Sequence, residues 1–164
     1  MKSTLPAFLT LSVFFSAAYA GSVINEDFEG KLPDFHTYQA TYAADDSCAH
    51  GGLHSLRVTP TKGSGGAYFK LDGALDFTSD YEYAAWVRVG SDRSASLYIS
   101  ASNGSKRYTV SRVSGGVAGQ WVRLRGVIRA EQWRPLDRDF MLALSTQGES
   151  RFDDVTLCKA DVPD

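Results

Sequence analysis

The chain has 164 residues, of which 22% are charged and 12% aromatic, and its formal net charge is −2. That length fits a short leader followed by one domain of about 100–150 residues. The weakly acidic balance excludes the basic footprint of a nucleic-acid binder, and no apolar run reaches the roughly 20 residues that a membrane-spanning helix needs.

Residues 1–20 read as a secretory signal peptide. Lys2 supplies the positive end, Leu5 to Ala17 is mostly apolar, and Ala18-Tyr19-Ala20 is a small-x-small cleavage site. The remaining residues, 21–164, form a single exported domain, secreted or periplasmic. An acidic phrase, Asn25-Glu26-Asp27-Phe28-Glu29, opens it. Two cysteines, Cys48 and Cys158, make an even pair, and in an exported protein such a pair suggests one disulfide. Two unbridged thiols are the alternative.

From residue 56 onward apolar residues recur with period two. Leu56-Arg57-Val58 follows a loop containing Gly51-Gly52, and Ala67 to Leu71 is a strand. Tyr81 to Val89 alternates Tyr81, Tyr83, Ala85, Val87 and Val89 against Glu82, Ala84, Trp86 and Arg88. Ala95 to Ala101 sends Leu97 and Ile99 inward and Ser96 and Tyr98 outward. Asn103-Gly104 marks a tight hairpin, with Arg107 to Val113 as the return strand. Trp121 to Ile128, Phe140 to Ser145 and Arg151 to Leu157 complete the set. Eight or nine short strands without an amphipathic helix predict an all-β fold, a β-sandwich of jelly-roll type. Acidic phrases near both ends imply that the first and last strands meet.

The order of five phrases carries a resemblance. They are Asn25-Glu26-Asp27-Phe28-Glu29, Gly51-Gly52-Leu53-His54-Ser55-Leu56-Arg57-Val58, Tyr83-Ala84-Ala85-Trp86-Val87-Arg88, Gly119-Gln120-Trp121-Val122-Arg123-Leu124 and Phe152-Asp153-Asp154-Val155-Thr156-Leu157. The series resembles the carbohydrate-binding modules of the galactose-binding-like jelly-roll group, families four, nine and twenty-two, over residues 23–158. The resemblance implies two packed antiparallel sheets, a glycan bound on a concave sheet by aromatic side chains, and a structural calcium ion (Ca2+). Such modules are usually fused to a glycoside hydrolase. Within these 164 residues no second, catalytic domain is expected.

The same residues can be weighed chemically. Calcium takes six to eight hard oxygens. Glu29 resembles the glutamate that closes the opening phrase in the family, and Asp153 shares strand parity with Val155 and Leu157, which sends it inward. A buried carboxylate needs a partner, so Glu29, Asp153 and Asp27 are the expected calcium ligands. The alternative has Glu29 capping a turn and Asp153 pairing with an arginine. Trp86, Tyr98 and Tyr108 are the expected glycan platforms, with Arg112 as a charged contact. Covering a sheet face is the structural alternative for those aromatics. Tyr68, after the loop Gly63-Ser64-Gly65-Gly66, is a weaker candidate. Eight basic residues lie between Lys106 and Arg138. Arginine forks suit carboxylates, so an acidic glycan is one ligand class and an ordinary solvated face the other reading. His50 and His54 flank glycines in a loop, a poor frame for zinc, and His36 has no visible partner. No Gly-x-Ser-x-Gly element marks a hydrolase. The expected function is non-catalytic binding of a polysaccharide or glycan by a monomer. A structural or adhesion protein using the same sheet for protein contacts is the alternative.

Overall fold

The computed structural model describes residues 22–160 apart from Asp92. The signal peptide lies outside the described residues. Among them are eleven strands: β1 (Ser22–Glu26), β2 (His36–Tyr38), β3 (Ala40–Asp45), β4 (Ser55–Pro60), β5 (Gly65–Lys70), β6 (Tyr81–Val89), β7 (Ala95–Ser102), β8 (Arg107–Gly115), β9 (Trp121–Ile128), β10 (Arg138–Thr146) and β11 (Ser150–Lys159). A single 3-10 turn spans Ala130–Gln132. No described helix is long and apolar enough to cross a membrane.

The strands form two antiparallel sheets. Sheet A runs β3-β4-β11-β6-β9, with β1 added beside β11, and sheet B runs β2-β5-β10-β7-β8. The predicted meeting of first and last strands is present: Asn25 pairs with Thr156 and Glu26 with Val155. The period-two pattern from Tyr81 to Val89 sends Tyr81, Tyr83, Ala85, Val87 and Val89 into the core, all at 0–1% exposure. From the facing sheet come Leu97, Ile99, Leu142 and Leu144, fully buried. Each such side chain contributes about 1.5–3 kcal/mol on burial. The Asn103-Gly104 turn joins β7 to β8 as expected. Gly104 takes φ +89°, and Asn103 Oδ1 accepts the amides of Ser105 and Lys106 at 3.1 and 3.0 Å.

Two bulges reset the side-chain alternation that the sequence implies. In β11 the register slips between Asp153 and Thr156, and Asp154 adopts φ +48°. Asp153 therefore does not share the inward side of Val155. It stands across from Trp86, on the outer side of sheet A, and is buried because a loop covers it. In β8 the register slips where the strand meets Ile99 and Ser100. Arg112 pairs with Tyr98, on the outer side of sheet B, while Tyr108 pairs with the buried Ala101. An extra residue in one strand reverses facing beyond it.

The cysteines do not form the expected disulfide. Cys48 Sγ accepts Arg88 Nη1 at 2.8 Å, while Cys158 Sγ contacts the Glu82 carbonyl at 3.9 Å. Arg88 and Glu82 lie at opposite ends of β6, about 20 Å apart along the strand. Bridged cysteines need Cα atoms within about 7 Å.

Tyr83 links the two sheets at one edge: its hydroxyl lies 2.7 Å from Ser111 Oγ on β8. The ring lies over Gly126, its cross-strand partner on β9, and a Cβ at residue 126 would overlap the phenol. Gly126→Ala should lower unfolding free energy by about 2 kcal/mol through overpacking, read as a lower denaturation midpoint in urea. An unchanged midpoint would show that the ring has room to move.

Candidate functional site

On the outer side of sheet B, one residue from each of five strands falls on a single line. His36 pairs with Tyr68, Tyr68 with Ala143, Ala143 with Tyr98, and Tyr98 with Arg112. At about 4.8 Å between strands the line is about 19 Å long. Tyr68, Ala143 and Tyr98 are fixed by strand parity, since neighbours in their strands (Ala67, Leu142, Leu144, Leu97, Ile99) fill the core, and cross-strand pairing places His36 and Arg112 beside them. The His36 and Tyr68 rings stack at 5.4 Å with 20° between planes. The Arg112 guanidinium carbon lies 4.8 Å from the Tyr98 ring centre. Between the two tyrosines sits Ala143, whose single methyl is only 4% exposed and forms a small floor flanked by the two rings.

The borders of this line are polar. Ser145, Ser96 and Ser114 are successive cross-strand partners on one side. On the other, Tyr68, Lys70, Asp72, Arg107, Asp139 and Met141 line a hollow of about 220 Å³. Arg107 Nη1 donates to the Asp139 carbonyl at 2.8 Å and to Ser100 Oγ at 3.3 Å. Among the described residues, Lys70, Arg107 and Arg112 have no carboxylate partner within ion-pair distance. The face is therefore aromatic, hydroxyl-rich and net basic.

Of the four residues expected to bind ligand, Tyr98 and Arg112 stand together here. Trp86 lies on the other sheet. It stacks on His50 at 3.8 Å with 15° between planes, and the stack meets the edge of Trp121 at 5.9 Å. Tyr108 points to the core side, where its hydroxyl is buried without a hydrogen-bond partner and Arg134 lies 4.7 Å over its ring. Burial first, and the neighbouring Asp137 second, push its phenol above the ordinary value. His36 and Ala143 escaped the sequence reading. The alternation of β10 marks Ala143 as outward, but pairing across distant strands is what places it between two tyrosines.

The expected calcium ligands gather around the 48–54 loop without forming a cluster. Asp153 Oδ2 accepts the amides of His50 and Gly51 at 2.8 and 3.2 Å, and its Oδ1 accepts the Asp154 amide at 2.9 Å. Asp154 Oδ2 meets His50 Nδ1 at 2.9 Å. Glu29 Oε1 accepts the amides of Leu53 and His54, both at 2.8 Å. Asp27 Oδ1 accepts the Glu29 amide at 3.1 Å. Gly52 takes φ +61°, and a Cβ there would collide with the Glu29 carboxylate. Among the described residues no three His, Cys, Asp or Glu side chains form a metal-holding group. Asp153 also accepts three amides, yet its surroundings are the least favourable to a charge. It is fully buried, and desolvation raises its carboxyl pKa more than its amide partners lower it, with Asp154 adding repulsion. Glu29 and Asp27 are already satisfied by amides and do not stand beside it.

No protein-family model matches the sequence, and no curated protein is similar to it in sequence. Solved structures match closely in shape. The C-terminal family 22 carbohydrate-binding module of Clostridium thermocellum Xyn10B superposes with a TM-score of 0.73 at 18% identity, covering 88% of this chain and 97% of that one. The two-sheet β-sandwich fold is the one that module has. The CBM22-1–GH10 modules of the same xylanase, complexed with xylohexaose, match with a TM-score of 0.71 at 19% identity over 88% of this chain. This chain spans 29% of that longer protein. A family 4 carbohydrate-binding module matches with a TM-score of 0.57 at 17% identity, covering 77% of this chain and 94% of that one.

Glu29 provides a pH test of the loop clamp. The His54 amide foremost, then the Leu53 amide, hold its carboxyl below the ordinary 4.5. Stability from this group is complete above that value and is lost as pH falls through the folded-state value. Asp153, with a raised pKa, works in the opposite sense, its contribution being lost as pH rises through the folded value. Glu29→Gln keeps the oxygen acceptor and removes the titration. Its melting temperature should lie below that of the native chain at pH 7, where the charged acceptor is missing, and the two should converge as pH falls below about 4.5. Parallel melting-temperature profiles for the two proteins would refute the clamp.

Proposed function

We propose that this protein is an exported binding module that takes a polysaccharide chain across the outer face of sheet B without cleaving it. The observation that carries this reading is the line His36–Tyr68–Ala143–Tyr98–Arg112, with a small floor between two aromatic walls. Sugar rings offer apolar C–H faces that suit flat aromatic side chains, and their hydroxyls suit the bordering serines. The absence of carboxylate partners for Lys70, Arg107 and Arg112 favours a glycan that carries acidic groups. Xylohexaose in complex with a module of this fold supports the ligand class.

Titration with xylohexaose, and with a xylan bearing uronic acid side groups, tests the proposal. Tyr98→Ala and Tyr68→Ala should each weaken binding at least tenfold, about 1.4 kcal/mol. Ala143→Leu should do the same by filling the floor. Trp86→Ala should leave binding intact, since Trp86 stands on the opposite sheet. Undiminished affinity in the Tyr68, Tyr98 and Ala143 variants together would eliminate this face. Stronger binding of the uronic-acid-bearing xylan, lost in Arg112→Gln, would establish the acidic preference, and equal affinity for both ligands would remove it.

A structural calcium ion belongs to the same proposal, with Asp153 and carbonyls of the neighbouring loop as its holders. The ion would neutralise the buried carboxylate and do no chemistry on the glycan. Added calcium should raise the melting temperature of the native chain and leave Asp153→Ala unmoved. Superimposable melts in calcium and in chelator would remove the ion from the account.

A further inference from the structure

The outer face of sheet A carries a second cross-strand line with a different chemistry. Ala43, Arg57, Arg151, Arg88 and Trp121 are successive partners across β3, β4, β11, β6 and β9. Three arginines thus stand abreast on three adjacent strands, their backbones about 5 Å apart. Like charges directly opposite one another destabilise a sheet, so the arrangement calls for anions. The chain supplies them to only one of the three. Arg151 Nε donates to Asp45 Oδ2 at 2.8 Å, and its Nη1 lies 3.3 Å from Glu149 Oε1. Arg88 meets the Gly119 carbonyl through Nε and Cys48 Sγ through Nη1, at 2.8 Å each, and neither partner is a carboxylate. The Arg57 side chain makes no hydrogen bond or ion pair with any described residue.

Arg57 nevertheless does not lie loose in solvent. It is half-buried and lines a hollow of about 330 Å³ together with Thr41, Tyr42, Ala43, Thr59 and Glu149. Partial desolvation strengthens its attraction for an anion. The two threonines bring hydroxyl groups to the same space. Arg123 lies one line over, paired with Trp86, and adds positive charge. Trp121, half-buried, ends the arginine line with an aromatic ring. Cation, hydroxyl and ring on one face are what a sugar with an acidic substituent requires.

We propose that this arginine line is a second binding site, for the oxyanion groups of an acidic polysaccharide, in which Arg57 holds the carboxylate or sulfate and Arg88 adds positive charge, while Arg151 holds Glu149 and Asp45 back from Arg57. It rests on the reading that this protein binds glycans and extends it to the opposite sheet. A fork-to-oxyanion contact of this kind weakens with ionic strength.

Three probes separate the possibilities: polygalacturonate for carboxylates, dextran sulfate for sulfate esters, and xylohexaose as the neutral control. The substitution is Arg57→Gln, which breaks no side-chain hydrogen bond or ion pair with a described residue. Affinity for at least one polyanion should fall fivefold or more while xylohexaose binding stays unchanged, and the polyanion that loses affinity identifies the oxyanion. Tyr98→Ala should retain polyanion binding that declines as sodium chloride is added. Equal polyanion affinity in the native chain and Arg57→Gln, or no polyanion binding by the native chain, would overturn the proposal. Failure of the native chain to bind xylohexaose would count against the aromatic line on sheet B and leave the result at Arg57 standing.

Discussion

A carboxylate removed from water has to be met by donors or by a cation, and the burial of Asp153 organises one end of the sandwich. Its oxygens hold the amides of His50 and Gly51, which draws the loop after β3 down over the outer face of sheet A. With the loop in place, His50 lies flat on Trp86 and reaches Asp154. Glu29, arriving from beyond β1, fixes the far end of the same loop at Leu53 and His54. One buried anion thereby ties together the start, the middle and the end of the chain. The bulge in β11 is what makes this possible, since without it Asp153 could not face the loop while Val155 and Leu157 remained in the core.

The two sheets present unlike surfaces because the same backbone geometry was filled with different side chains. Sheet B sets tyrosines either side of an alanine. Sheet A sets arginines side by side and roofs part of its area with the 48–54 loop. Closing off Trp86 with His50 removes one ring face from contact with anything else. The outward aromatics named above are thus divided between the row on sheet B and the His50–Trp86 stack on sheet A.

Much of the architecture was legible in the residues. Regular alternation in 81–89, 95–101 and 121–128 identified three strands within one residue of their ends, and the Asn103-Gly104 pair located the hairpin. Strands β2 and β3 were illegible because His36–Tyr38 is short and fully exposed, and Tyr42 interrupts a run of small residues in β3. The facing of the candidate residues was half legible. Tyr98 follows from alternation within β7, and Arg112 pairs with it on the far side of the β8 bulge from Tyr108. Tyr108 and Asp153 were misassigned because each is separated by a bulge from the residues used to judge its facing. Trp86 was correctly outward, but alternation says nothing about which of two sheets a strand joins. The disulfide failed for a related reason: an even cysteine count carries no information about separation along a strand.

The line on sheet B runs across the strands, so its members come from residues 36, 68, 98, 112 and 143, far apart in sequence. A ligand lying along it would touch every strand of that sheet once and none of them twice. Binding there would act as an external tie-rod, since freeing any one strand would mean giving up part of the ligand's hold. The arrangement also decouples recognition from construction. Each rung can be exchanged by a single substitution on one strand, leaving the inward-facing neighbours that set register untouched. A lineage carrying this scaffold can therefore retune what it grips one position at a time.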